Sequence, residues 1–286
     1  MWIPHETGAA PEQLKRGGAH CFLGVLPMYH SFGCNIVMHW AILTASSLVC
    51  IPDPRAGKPP FTEVLKAVQQ HKVTIIAAVP TIFVAFTNHP LLSKFDLSSV
   101  IGCGSGGAPL PPEVCKQFEE KTGAVIFEGY GLSETSPVAS ANPTNKVQRK
   151  IGSIGFPVPG TDMKILDIET GTTELPQGED GEISICGPQV MKGYWQRPEE
   201  TAKVLDSDGW LKTGDMPCRD EKGFFFIVDR KKDAIRRRGE NIAAWSIERV
   251  VNRHEKVLES AAYGVKSEEY GEDEVMVAVV LRPGET

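Results

Sequence analysis

Short apolar runs and amphipathic stretches take turns along the first half of the chain. Val73 to Val79, Val100 to Cys103 and Ala124 to Phe127 read as buried strands, while Phe61 to His71, Thr81 to Asn88 and Pro112 to Lys121 carry helical spacing. Pro59-Pro60 precedes the first helix and Gly123 closes the last. Ser31 to Pro52 contains no Asp, Glu, Lys or Arg, a length that invites a membrane span, but Asn35, His39, Thr44, Ser46 and Ser47 favour a buried helix running into a strand from Ser47 to Ile51. Strands alternating with helices predict a parallel, covered sheet. From Ile151 the texture changes to short strands with turns, at Asp162 to Ile168, Gly181 to Cys186 and Gly223 to Val228. A basic run, Lys231 to Arg238, leads to a last unit with a helix at Trp245 to His254 and strands at Leu258 to Val265 and Glu274 to Leu281. The expected class is therefore α/β: a parallel-sheet α/β subdomain over 21–150, a small β-rich subdomain over 151–229, and the start of an α+β unit over 230–286.

Length and charge narrow the function. A chain of 286 residues suggests about two domains at roughly 150 residues each. The net charge of −6 argues against a nucleic-acid partner, so any anion site must be local. The seven cysteines include no Cys-x-x-Cys pair, which argues against a zinc site or disulfide framework and suits small buried side chains in a reducing cytoplasm. Met1 to Glu6 lack the basic start and apolar run of a signal peptide. The expected location is cytoplasmic, with room for peripheral membrane contact; the oligomeric state is not readable.

Candidate chemistry concentrates in Gly129-Tyr130-Gly131-Leu132-Ser133-Glu134-Thr135, which follows a predicted strand. Open α/β sheets bind ligands at strand carboxyl ends. Tyr130 can stack on a purine, with its hydroxyl secondary to its ring; Ser133 can donate to a phosphate oxygen, and Glu134 can hold a magnesium ion that bridges phosphates. An ordinary strand-to-helix turn explains the same heptapeptide. Asp215 offers a carboxylate to a ribose diol, and Arg230 a guanidinium to sugar or phosphate. Gly102-Cys103-Gly104-Ser105-Gly106-Gly107 matches a dinucleotide fingerprint, but Pro109, Pro111 and Pro112 delay the helix whose amino terminus that fingerprint needs, so a nicotinamide oxidoreductase is a poor second.

Taken in order, Pro27-Met28-Tyr29-His30-Ser31-Phe32-Gly33, Gly106-Gly107-Ala108-Pro109, the heptapeptide, the Asp215 and Arg230 segments, and Arg238-Gly239-Glu240-Asn241 resemble the adenylate-forming superfamily of acyl-CoA synthetases, luciferases and peptide-synthetase adenylation domains. The likeness runs from about His20 to the end. It implies ATP or AMP, Mg2+ and coenzyme A as ligands and a small-molecule carboxylic acid as substrate. It further implies that Ser133, Glu134 and His30 serve the chemistry, with Glu134 on the metal and His30 beside the substrate carboxylate. A lone histidine in an apolar sequence otherwise reads as a satisfied core residue. Gly107, Ala108, Pro109, Glu128, Gly129, Tyr130, Gly131, Leu132, Ser133, Asp215, Ile227, Arg230, Lys232, Arg236 and Asn241 would line the nucleotide site. Phe32 and Gly129 would line the acyl pocket with His30. Lys232 falls at the family's hinge, the residues after it belong to a mobile lid, and Arg238 and Gly239 would border the CoA channel. For at least one of Arg236, Arg237 and Arg238 a solvated basic face is the simpler reading.

Two family elements have no counterpart in this sequence. Nothing from Met1 to His20 resembles the Ser/Thr/Gly-rich phosphate loop, and the lid's Gly-Lys motif is not reached. The chain therefore looks like a fragment that is impaired in catalysis alone. The Ser105 to Pro112 segment and small Gly129 resemble bacterial fatty-acyl-CoA ligases, which implies a medium- or long-chain fatty acid. Carnitine-, crotonobetaine- or aryl-acid-CoA ligases, transfer to a carrier protein, and a non-catalytic adenylate-binding remnant are the alternatives.

Overall fold

The computed structural model describes residues 20–168, 170–179, 181–230, 235–237, 240–242, 244–266, 273–282 and 284–285. Five parallel strands form the centre of the first part: β1 (Cys21–Gly24), β2 (Ser47–Cys50), β3 (Ile75–Ala78), β4 (Gly102–Ser105) and β5 (Ile126–Tyr130). Two short strands, β6 (Ser140–Ala141) and β7 (Phe156–Pro157), continue the sheet in antiparallel fashion, giving the order β2-β1-β3-β4-β5-β6-β7. The helices are α1 (Trp40–Leu43), α2 (Thr62–Gln70), α3 (Pro80–Thr87) and α4 (Pro112–Thr122). Phe83 of α3 meets Phe118 of α4 edge-on at 5.3 Å, and both are fully buried with Val64, Leu65 and Val68 of α2. Phe61, at φ 72°, is the left-handed residue immediately before α2, which begins one residue later than the spacing predicts.

The segment Ser31 to Pro52 departs from expectation. A π-helical stretch, Phe32–His39, runs into α1, and only Gly33, Val37 and Ala41 are buried, while Ile42 and Leu43 are 69% and 60% exposed. A single stripe of residues four apart meets the sheet. Gly33 lies so close to the chain that an added Cβ would sit 2.3 Å from the Pro27 carbonyl oxygen. The buried-helix expectation is thus corrected to a helix buried on one stripe. Among the described residues, no helix is long and apolar enough to cross a membrane.

The glycines of the dinucleotide look-alike lie in a strand instead of a phosphate loop. A Cβ on Gly102 would stand tightly at 3.3 Å from the Phe127 ring of the neighbouring strand and one on Gly104 in ordinary contact at 3.5 Å, so the ring lies across this part of β4. Its helix starts only at Pro112, eight residues on from Gly104, as the prolines predict.

The later strands are antiparallel. β8 (Asp162–Leu166), β9 (Glu182–Cys186) and β10 (Leu211–Lys212) form one sheet, and β11 (Asp215–Arg219) pairs with β12 (Phe225–Arg230). Helix α5 (Pro198–Val204) lies between β9 and β10 in the chain. The last part holds β13 (Ile235–Arg237), β14 (Glu240–Ile242), α6 (Ala244–Val251), β15 (Val257–Lys266) and β16 (Asp273–Leu281), with Ile235, Ala244 and Ala262 as its small core. The mixed α/β architecture therefore follows the expected class.

The β11–β12 ribbon is fastened to the first sheet. Ile154 N–H donates to the Phe225 carbonyl at 2.8 Å, Phe225 N–H donates to the Gly155 carbonyl at 3.1 Å, and Lys150 Nζ meets Asp220 at 2.5 Å. The Phe156 and Phe224 rings pack 4.3 Å apart. This joint sets Asp215 against the end of β5.

Candidate nucleotide site

The strand bearing Tyr130 is longer than its apolar run. Gly129 and Tyr130 pair with Ala141 and Ser140, so the backbone stays extended through Tyr130, and the predicted strand 124–127 is corrected to Ile126–Tyr130. Gly131 then makes the turn, and nothing larger fits: a Cβ there would lie 1.6 Å from the Pro137 carbonyl oxygen. Leu132 N–H donates to Thr135 Oγ1 at 2.8 Å and closes a 3-10 turn, Ser133–Thr135, with Ser133 exposed.

Asp215 meets this turn from the other sheet. Tyr130 Oη donates to Asp215 Oδ2 at 2.5 Å, across 85 positions of sequence, and Asp215 is 4% exposed. That is the short, charge-assisted end of hydrogen-bond geometry. The approach to β11 is itself fixed: Gly214 N–H donates to Glu182 Oε1 at 2.9 Å and Asp215 N–H to Thr213 Oγ1 at 3.1 Å. Arg230 is the direct ladder partner of Asp215. Ile227 packs with Tyr130 and Leu132 on the cluster of Ala139, Ile183 and Ile185. The Tyr130 hydroxyl thus has a partner that the sequence did not suggest, the buried Asp215 carboxylate.

The glycine loop and the π-helical stretch reach the same place. A Cβ on Gly106 would lie 3.2 Å from the Gly129 carbonyl oxygen and 3.5 Å from the Phe32 ring, so the three residues are neighbours. Gly107 has φ 83° and is exposed with Ala108 and Pro109. Asn35 Nδ2 donates to the Ser136 carbonyl at 3.3 Å and ties the helix to the Glu134 turn. His30 is exposed, and its Nδ1 accepts the Phe32 N–H at 3.1 Å, so the core-histidine reading is corrected.

Glu128 faces inward. It is 8% exposed and accepts Gly152 N–H at 2.7 Å; burial pushes its pKa up to about 7, against the lowering pull of the Gly152 N–H, Arg149 and the Leu110 backbone. Arg236 and Asn241 are partners in the β13–β14 ladder. Lys232, Arg238 and Gly239 lie outside the described residues.

Sequence reasoning missed Tyr194. Its hydroxyl donates to Glu134 Oε1 at 2.8 Å, which raises the phenol's pKa, and Met191 N–H donates to the Glu134 carbonyl at 2.8 Å. A glycine followed by two aromatics in a polar stretch was the one available signal. Among the described residues, no group of three or more His, Cys, Asp or Glu could hold a metal. Glu134 as a single carboxylate suits magnesium, which takes one or two carboxylates and completes its shell with water and phosphate oxygens.

The family model for AMP-binding enzymes matches residues 4–195. A long-chain-fatty-acid–CoA ligase of Bacillus subtilis is 46% identical over 93% of this chain, and a 4-coumarate–CoA ligase of Pinus taeda is 38% identical over 92%. ATP-bound MatB from Rhodopseudomonas palustris superimposes with a TM-score of 0.85 at 32% identity, covering 93% of this chain and 51% of that one. The chain spans about half the length of the curated relatives it matches, 46% and 48% for the two ligases. The family model spans more than half of the chain, and the chain belongs to the AMP-binding enzyme family.

Proposed function

We propose that the whole protein activates a carboxylic acid with ATP, giving an acyl-adenylate and pyrophosphate, and then passes the acyl group to the thiol of coenzyme A with release of AMP. The observation that carries this reading is the 2.5 Å bond between Tyr130 and Asp215, with Arg230 opposite Asp215 in the ladder. Tyr130 offers a ring to the adenine, Asp215 and Arg230 hold the ribose, and exposed Ser133 donates to a phosphate oxygen. Glu134 would hold magnesium. Bound there, the ion supplies positive charge to the phosphates as negative charge shifts onto them. His30 stands with the substrate carboxylate, and Phe32 beside Gly106 and Gly129 lines the acyl pocket.

A medium- or long-chain fatty acid is the favoured substrate, supported by the 46% identity to the Bacillus subtilis ligase. The 38% identity to the Pinus taeda ligase supports an aryl acid as the second reading. Cys21, Cys34, Cys50, Cys103, Cys115 and Cys186 are free, which supports a cytoplasmic setting, with peripheral membrane contact compatible with it. The test is acid-dependent pyrophosphate exchange across a chain-length and aryl-acid panel, run on the chain alone and on a form extended at both ends to its relatives' length. Exchange by the extended form with fatty acids is expected; no exchange with any acid would refute the reading.

A further inference from the structure

We propose that Tyr194 is a positioning residue that aims the Glu134 carboxylate at the magnesium–nucleotide complex; this rests on the reading of Glu134 as the metal-binding residue. The two residues are 60 positions apart, yet Tyr194 Oη lies 2.8 Å from Glu134 Oε1. The same loop grips the Glu134 backbone through Met191 N–H. The loop is itself anchored, because Tyr194 N–H donates to Thr201 Oγ1 at 2.9 Å and that hydroxyl donates to the Arg197 carbonyl at 2.8 Å. Gly193, at φ 139°, is pressed on the same threonine so closely that a Cβ would lie 2.9 Å from Thr201 Cγ2.

A chain of contacts thus runs from α5 through the loop to one oxygen of Glu134. The second oxygen has no partner among the described residues and stays available to a cation. Free rotation of a half-exposed glutamate would otherwise scatter that oxygen over several rotamers, and ordering it on binding costs affinity. A hydrogen-bonded neighbour that orients a ligating carboxylate removes that cost in advance.

The test compares nucleotide affinities of the 286-residue chain by titration calorimetry, using ATP with saturating Mg2+, ATP with excess EDTA, and AMP without metal. Tyr194→Phe keeps the ring and removes only the hydroxyl. It is expected to lower the ratio of Mg–ATP to metal-free ATP affinity about tenfold while leaving AMP affinity within about twofold. Thr201→Val, which removes the acceptor of the Tyr194 N–H but leaves the Tyr194 hydroxyl in place, is expected to lower the same ratio by a smaller factor and serves if the phenylalanine variant does not fold. An unchanged ratio in both variants, or AMP affinity falling in step with it, would make Tyr194 a structural residue only and overturn the proposal. Glu134→Gln separates the two layers. If it too leaves the ratio unchanged, or if the unsubstituted chain binds no nucleotide, the underlying reading of Glu134 fails instead.

Discussion

At Tyr130 a ring and a hydroxyl have separate work. The ring is half-buried beside Leu132 and Ile227, and the hydroxyl carries the 2.5 Å bond to Asp215. Tyr130→Phe is therefore expected to weaken AMP binding about tenfold, since bonds to charged groups contribute about 1.5–3 kcal/mol. Tyr130→Ala also removes stacking worth about 1–3 kcal/mol and should cost more, which calorimetry can rank. Equal affinity in the phenylalanine variant and the parent would deny the hydroxyl its role. Glu128 gives a pH test. Its folded pKa, about 7, lies above the ordinary 4.5, so its contribution to stability is full below about pH 4.5 and is lost as pH rises through 7. The loss is roughly 3 kcal/mol. Thermal unfolding at pH 5 and pH 8 should show Glu128→Gln losing less stability on the alkaline side than the parent does; parallel losses would contradict it. As candidates for nucleotide binding, Tyr130, Ser133, Glu134 and Asp215 were readable because their side chains suit a nucleotide. The Tyr130–Asp215 and Tyr194–Glu134 bonds were not, because each joins partners 60 or more positions apart.

Strand β5 carries the site and is braced at its foot. Arg149, with a side chain only 3% exposed, pairs with Glu119 at 2.6 Å and also donates to the Ile126 carbonyl, while Glu119 Oε1 accepts Ile126 N–H at 2.9 Å. Removing one partner of a buried pair typically costs about 3–5 kcal/mol. Arg149→Met is expected to lower chemical-denaturation stability by that amount, far more than Lys66→Met, whose partner Glu63 is exposed. Equal effects would show that the brace is unimportant. Elements set by apolar spacing, such as α2, α3 and α4, were readable to within about two residues. The ends of β4 and β5 were not. Phe127 lying across Gly102 and Gly104, and the pairing of Tyr130 with Ser140, depend on neighbouring strands that local spacing does not encode. The π-helical stretch escaped for the same reason, since its buried stripe rests on the fit of Gly33 against Pro27.

Across the whole molecule, the candidate site lies where two sheets meet. The Ile154–Phe225 and Lys150–Asp220 contacts and the Phe156–Phe224 rings hold the β11–β12 ribbon against the sheet that ends in Tyr130. The alternating strands and helices and the later antiparallel part were visible in the sequence, whereas this joint was not, since its contacts lie up to 71 positions apart. On the proposed function, this joint builds the nucleotide site. Titration calorimetry of AMP into the 286-residue chain and its Asp215→Asn variant tests it most directly, with thermal unfolding to establish that both are folded. The account predicts saturable one-to-one binding by the parent chain and affinity about tenfold or more weaker in the variant, because the ribose loses a charged acceptor. Absence of saturable binding by the folded parent, or equal affinity in the variant, would contradict it.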